Sequence, residues 1–202
     1  MRRIILSTLV LFTTLATNAQ RQVGTTSIQP KVGLNIATIT KDNDADPRLA
    51  PVIGAEFEHQ VTDMVSLSAG LLYSMQGAKG NIGGVDGTVK LDYINIPILA
   101  NVYIAKGFAV KLGVQPGFMI NDKVKVSRNG VTAEVGLENA FRQSGIDAKI
   151  KKLDVSIPVG ASYEFSNFVV DARYNWGLTK IIDQSTSKNS VFQLTLGYKF
   201  GL

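Results

Sequence analysis

The 202-residue sequence predicts an all-β fold, an eight-stranded antiparallel up-and-down barrel that crosses a membrane with its strands. Three observations predict it. Side chains alternate apolar and polar with the period of a half-buried strand. Connections between the alternating runs are short and long in turn. The polar faces collect glycine, and the apolar faces collect aromatic rings.

Residues 1–19 follow a different rule. Arg2 and Arg3 precede an apolar stretch from Ile4 to Ala16, and Thr17-Asn18-Ala19 ends on a small residue. This is the pattern of a secretory signal peptide, with the barrel domain over 20–202. The apolar stretch falls short of the roughly 18 to 20 residues of a spanning helix, and no cysteine follows it to take a lipid.

The first run, Gln29 to Thr38, sets Val32, Leu34 and Ile36 against Lys31, Gly33 and Asn35. The second, Val52 to Val61, opposes Ile53, Ala55 and Phe57 to Gly54, Glu56 and Glu58. In the third, Val65 to Gln76, Leu72 is the one apolar residue on the polar side. The fourth, about Val89 to Ile104, carries Ile94, Ile96, Ile98 and Ala100 on one face, with Pro97 predicting a local irregularity. Phe108 to Asn121 and Leu153 to Phe165 are the fifth and sixth. The seventh, Phe168 to Leu178, and the eighth, from Val191 to the C-terminus, behave alike.

Short connections (Thr62-Asp63-Met64, Ala105-Lys106-Gly107, Ser166-Asn167) alternate with long ones near 39–51, 77–88, 122–152 and 179–190. A meander with tight turns at one end and long loops at the other follows, and closing it removes both exposed edges.

Glycine decides which face points inward. An eight-stranded barrel is only just wide enough inside for side chains, and Gly33, Gly54, Gly70, Gly113, Gly117, Gly160 and Gly197 lie on the polar faces. The apolar faces therefore meet lipid. Twelve of the 16 aromatics take the outward parity, whereas Tyr93 and Tyr103 take the inward one. Phe57, Phe108, Tyr163, Phe165, Phe168, Tyr198 and Phe200 lie near the short turns, and Tyr73, Phe118, Tyr174, Trp176 and Phe192 near the long loops. These predict two girdles where headgroups meet hydrocarbon.

Four segments resemble a known family: KVGLN from Lys31 to Asn35, LDYINIPIL from Leu91 to Leu99, KLGVQPGF from Lys111 to Phe118 and LGYKF from Leu196 to Phe200. Their order and spacing resemble the bacteroidete-type outer-membrane β-barrel family, often labelled "porin family", over nearly all of the mature chain. The resemblance implies an outer-membrane location and this fold, with no single activity. The chain departs from it by ending on Gly201 and Leu202 rather than on the aromatic; Leu202 shares the parity of Phe200, so recognition by the barrel assembly machinery is expected, shifted by two residues.

Composition narrows the chemistry. With no cysteine and one histidine, His59, the chain lacks thiolate, iron–sulfur and His-pair metal sites, and no cofactor is expected. Without Arg2 and Arg3 the formal charge falls from +5 to +3, too mild an excess to predict a nucleic-acid partner. Glu56 and Glu58 stand about 7 Å apart on one face, a spacing open to acid–base chemistry. The stronger reading joins them with Lys31, Lys111, Asp171, Arg173 and Lys199 in an ion-pair network that plugs the lumen. His59 takes an outward parity, and an enzyme is not expected.

Gly77 to Gly87 holds five glycines without a phosphate-loop ending, and reads as a flexible surface loop. The segment 121–152 is rich in Lys123, Lys125, Arg128, Arg142, Lys149, Lys151 and Lys152. It is expected as a long basic loop attracted to the phosphates of outer-membrane lipids and lipopolysaccharide, with a short helix over Val135 to Gln143. The expected function is structural or surface interaction by a closed, monomeric barrel. The alternative is a narrow channel for ions or small solutes.

Overall fold

The computed structural model describes residues 22–40, 46–82, 85–128, 131–143, 145, 150–182 and 186–202. The expected signal peptide lies outside them. The strands are β1 (Thr26–Ile39), β2 (Asp46–Gln60), β3 (Val65–Ile82), β4 (Val85–Asn95), β5 (Ile98–Ala105), β6 (Phe108–Arg128) and β7 (Val131–Gly136). After helix α1 (Leu137–Gln143) come β8 (Leu153–Phe165), β9 (Phe168–Gly177), β10 (Asn189–Tyr198) and β11 (Phe200–Gly201).

These strands form an antiparallel ring of eight staves. Two of the staves are each made of two strands. At Ile96-Pro97 the fourth stave breaks into β4 and β5, because proline has no N–H for the ladder. The break is bridged: Ile96 N–H donates to the Pro116 carbonyl at 2.8 Å, and the Pro97 carbonyl accepts from Gly70 N–H at 3.0 Å. The eighth stave is β10 with β11, and both pair with β1 to close the ring.

Tight turns stand at the periplasmic end. Thr62 Oγ1 accepts from the Met64 and Val65 N–H groups, Gly107 adopts φ 70° and Ser166 φ 56°. The Gly107 turn is tight enough that a Cβ there would lie 2.3 Å from the Glu164 carbonyl oxygen.

The other end corrects the expectation of long irregular loops. β3 and β4 continue as one hairpin past the rim, pairing Gln76↔Leu91 through Ile82↔Val85, so residues 77–82 and 85–87 are sheet rather than a flexible loop. β6 likewise runs on to Arg128 and turns back through β7. Lys123, Lys125 and Arg128 are therefore strand residues rather than loop residues, because Lys-Val-Lys-Val over 123–126 keeps the two-residue period. The helix starts at Leu137 rather than Val135, since Val135 and Gly136 still pair with β6. Lys149 lies outside the described residues.

The lipid belt is laid out by alternation. Leu67, Leu71, Ile98, Leu112, Val114, Leu194 and Leu196 are half exposed, while their strand neighbours Ser66, Ser68, Leu99, Asn101, Lys111, Gln193 and Thr195 are buried. From Phe108 to Phe118, β6 rises about 34 Å along its axis, or about 25 Å along the normal at a tilt of about 40°, enough for a hydrocarbon core. Leu112→Arg at mid-height is expected to destabilise the barrel by about 2–4 kcal/mol in a bilayer. The same change at Thr132, on the exposed β7, is expected to leave it within about 0.5 kcal/mol, read from urea unfolding midpoints.

Candidate functional site

Alternation carries charged side chains from six staves into the lumen. Arg173 on β9 is sandwiched: its Nε and Nη2 donate to Asp171 at 2.7 and 2.6 Å, and Nη1 and Nη2 donate to Glu56 at 2.6 and 2.8 Å. Lys31 Nζ stands 2.8 Å from Glu56 as an ion pair without hydrogen-bond alignment, and 3.7 Å from Asp171. Lys111 Nζ lies 2.7 Å from Asp171. Toward the periplasm, Lys199 pairs with Glu58 at 3.0 Å and with Glu164 at 2.8 Å. Glu58 also accepts from Ser66 Oγ at 2.7 Å and Tyr103 hydroxyl at 2.5 Å.

Among the described residues the ion pairs of the lumen thus join four cations with four carboxylates. All the charged residues singled out for the lumen meet here. Glu164 and Tyr103 are members that sequence reasoning left out, although both fall on inward parity, which was the available signal. Small residues make the room. Gly54, Gly160 and Gly197 face this layer, and a Cβ at Gly160 would sit 2.9 Å from the Arg173 Cγ.

Above the charges, Asn35, Gln76, Gln115, Asn175 and Gln193 form a buried amide layer. Asn35 donates to Ser74 Oγ and the Met75 carbonyl at 2.9 and 2.8 Å. At the extracellular mouth the chemistry turns apolar. Leu91, Tyr93, Met119, Leu137, Ile150 and Ile181 are buried together, with Val89, Val124 and Phe141 packed against them. Leu137 and Phe141, one helical turn apart on α1, lay its apolar side over the mouth. The isolated bridge Ile150↔Ile182 ties down the chain after it.

A bulge makes this cap possible. Tyr93 pairs with Met119, but Asp92 pairs with Asn121, so Ile120 is an extra residue on β6. Beyond it the parity of β6 flips. Val124 turns toward the cap, and Lys123 and Lys125 share the outward face with Lys90 of β4. Lys90 and Lys123 stand directly opposite, as do Lys125 and Glu134 of β7. Glu134 is ion-paired with Lys90, and the hydrogen bond from that ammonium holds its carboxyl below the ordinary range, with Lys123 and Lys125 adding to the effect. On the inner side of the same hairpin, burial pushes the Asp122 carboxyl up, and Glu138 pushes it further.

The aromatic rings point outward at two heights. Near the periplasm Phe168 meets Tyr198 edge-on at 5.1 Å between centroids, and Tyr198 meets Phe200 at 4.7 Å. Phe57, Phe165 and Tyr163 are exposed at the same end, and Phe108 is half-buried. Near the outer rim Phe118, Tyr174, Trp176 and Phe192 are exposed, and Tyr73 donates to Asp92 Oδ2 at 3.3 Å. Lys151 and Lys152 are exposed just before β8. His59 is also outward, its Nδ1 2.9 Å from Thr26 Oγ1 and away from the lumen carboxylates.

No curated protein matches the chain. Among solved structures, Ail, the attachment invasion locus protein of Yersinia pestis, was crystallised in complex with the heparin analogue sucrose octasulfate. It superposes with a TM-score of 0.50 at 17% identity, over 89% of this chain and 100% of that one. Neisserial surface protein A superposes with a TM-score of 0.51 at 13% identity, over 87% and 97%. Both are similar to this chain in fold, the eight-stranded outer-membrane barrel. The family described as outer membrane protein beta-barrel domain matches residues 18–183. With ring, lipid belt and family match in agreement, the chain belongs to the outer membrane protein beta-barrel domain family and resides in the cell outer membrane.

Proposed function

We propose that the barrel is closed to solutes and acts at the cell surface, its extracellular end binding the phosphates of lipopolysaccharide. The outward face of the β4–β6–β7 sheet carries the reading. Three lysines there, Lys90, Lys123 and Lys125, share one carboxylate, Glu134. Like charges directly opposed across a ladder are unfavourable, and lipid phosphates at this height would relieve them. The complex of Ail with a sulfated polyanion, in a barrel of the same fold, agrees with an anionic ligand. In the same reading the barrel works as a monomer, its closed ring offering no open strand edge within the membrane. The outward Phe200 offers the assembly machinery an aromatic signal on the last stave. No cofactor, nucleic acid or catalytic step enters it.

Closure rests on two stacked barriers, the ion-pair layer and the apolar cap. Purified protein in planar bilayers is expected to give no discrete conductance steps. Steady single-channel openings would replace this reading with that of a narrow ion channel. Lys90→Gln, Lys123→Gln and Lys125→Gln together are expected to weaken retention on lipopolysaccharide-containing phosphatidylcholine vesicles by about tenfold or more. Undiminished retention would remove the lysine face from the proposal.

A further inference from the structure

Across the barrel from that lysine face lies a second extracellular feature. A cleft of about 440 Å³ opens at the rim between β1, β9 and β10, lined by Thr40, Trp176, Gly177, Lys180, Thr186 and Lys188. Its walls are held by main-chain bonds. Thr40 N–H donates to the Lys188 carbonyl at 2.9 Å, and Lys188 N–H donates to Thr40 Oγ1 at 3.1 Å. Ile181 N–H donates to the Ser187 carbonyl at 3.0 Å, and Lys151 N–H to the Ile181 carbonyl at 2.9 Å. These bonds set Lys180 and Lys188 on opposite arms of the connection between β9 and β10.

Three properties define what the cleft takes. Among the described residues lining it there are two cations and no carboxylate, so it favours an anion. The Thr186 side chain adds a hydroxyl, whereas that of Thr40 is engaged with the Lys188 main chain. Trp176, 60% exposed, belongs to the outward ring of aromatics, so the cleft stands where headgroups meet hydrocarbon. An ammonium pair beside an interfacial indole suits a molecule with a phosphate at one end and a greasy body at the other.

We propose that this cleft binds the phosphorylated head of one outer-leaflet lipid, its phosphate between Lys180 and Lys188 and its body along the Trp176 ring. The proposal rests on the surface-interaction reading above and adds a discrete site to it.

Trp176 is the chain's single tryptophan, so its emission reports this cleft alone. The probes, added to protein in maltoside micelles, are bisphosphorylated lipid A, sodium phosphate and a neutral glycolipid. Lipid A is expected to shift the emission saturably, and Lys180→Gln with Lys188→Gln to weaken that response by about tenfold or more. Both substitutions spare the main-chain bridge to Thr40, and retained heat resistance on gels confirms folding.

An unchanged response in the folded double variant would overturn the site. So would an equal response to the neutral glycolipid, and saturation by sodium phosphate at the lipid A concentration would identify a free-anion site instead. The variant lacking Lys90, Lys123 and Lys125 is expected to keep the Trp176 response. If that variant alone loses vesicle retention, the surface reading stands and the cleft fails. If neither set of substitutions has an effect, both fail.

Discussion

Arg173→Ala is expected to destabilise the barrel by about 3–5 kcal/mol, the cost of breaking a buried ion pair from one side. Arg173 is 1% exposed, and its guanidinium is bonded to two carboxylates at once. Its removal leaves Glu56 and Asp171 inside a wall of lipid-facing strands with Lys31 and Lys111 as their remaining cations, so two negative charges lose their shared planar donor. Arg173→Lys keeps the charge but loses the fork that serves both acids, and should recover only part of the loss. The urea midpoint in bilayers and the temperature at which the folded band disappears on gels are the readouts. Wild-type values for Arg173→Ala would mean that water, rather than the guanidinium, satisfies these carboxylates.

Gly33→Ala is the second large effect. A Cβ at Gly33 would lie 2.0 Å from the Leu194 carbonyl oxygen and 2.7 Å from the Thr195 Cα, both main-chain atoms of β10. This is the seam where the last stave meets the first, so the only relief is to part the strands that close the ring. The expected cost is about 3 kcal/mol, at the upper end of overpacking penalties, and the variant should refold to a heat-resistant form in reduced yield. Gly87→Ala, whose Cβ would meet nothing nearer than 3.7 Å, is the control and should behave as wild type. Equal yields for the two would show that the seam accommodates a methyl group.

Within the lipid belt the fold was legible because two solvents impose opposite rules on the two faces. Residues such as Leu112 and Lys111 had to alternate, and glycine had to fall inside. Pro97 announced the broken stave for a purely covalent reason. Above the belt that constraint ends: water bathes the outer face and the cap needs grease, so the polarity of the alternation reverses. Lys90, Lys123 and Lys125 go outward, and Leu91 and Val124 go inward. The period survives, but its meaning inverts across the Ile120 bulge, and a strand extension reads as a basic loop. Glu164 and Tyr103 were missed for a different reason. Each sits near the periplasmic turns, where parity alone does not tell which partner a long side chain will reach across the lumen.

The central ion pairs also constrain how the barrel comes into being. Arg173 meets Glu56 from 117 positions away, and Lys111 meets Asp171 from 60. A chain with only its early staves in place joins Lys31 to Glu56 but leaves Lys111 and Glu58 without Asp171 and Lys199, which only the later staves supply. Folding should therefore be slow and concerted, as contacts between distant segments dictate, with few stable intermediates and a single sharp unfolding transition.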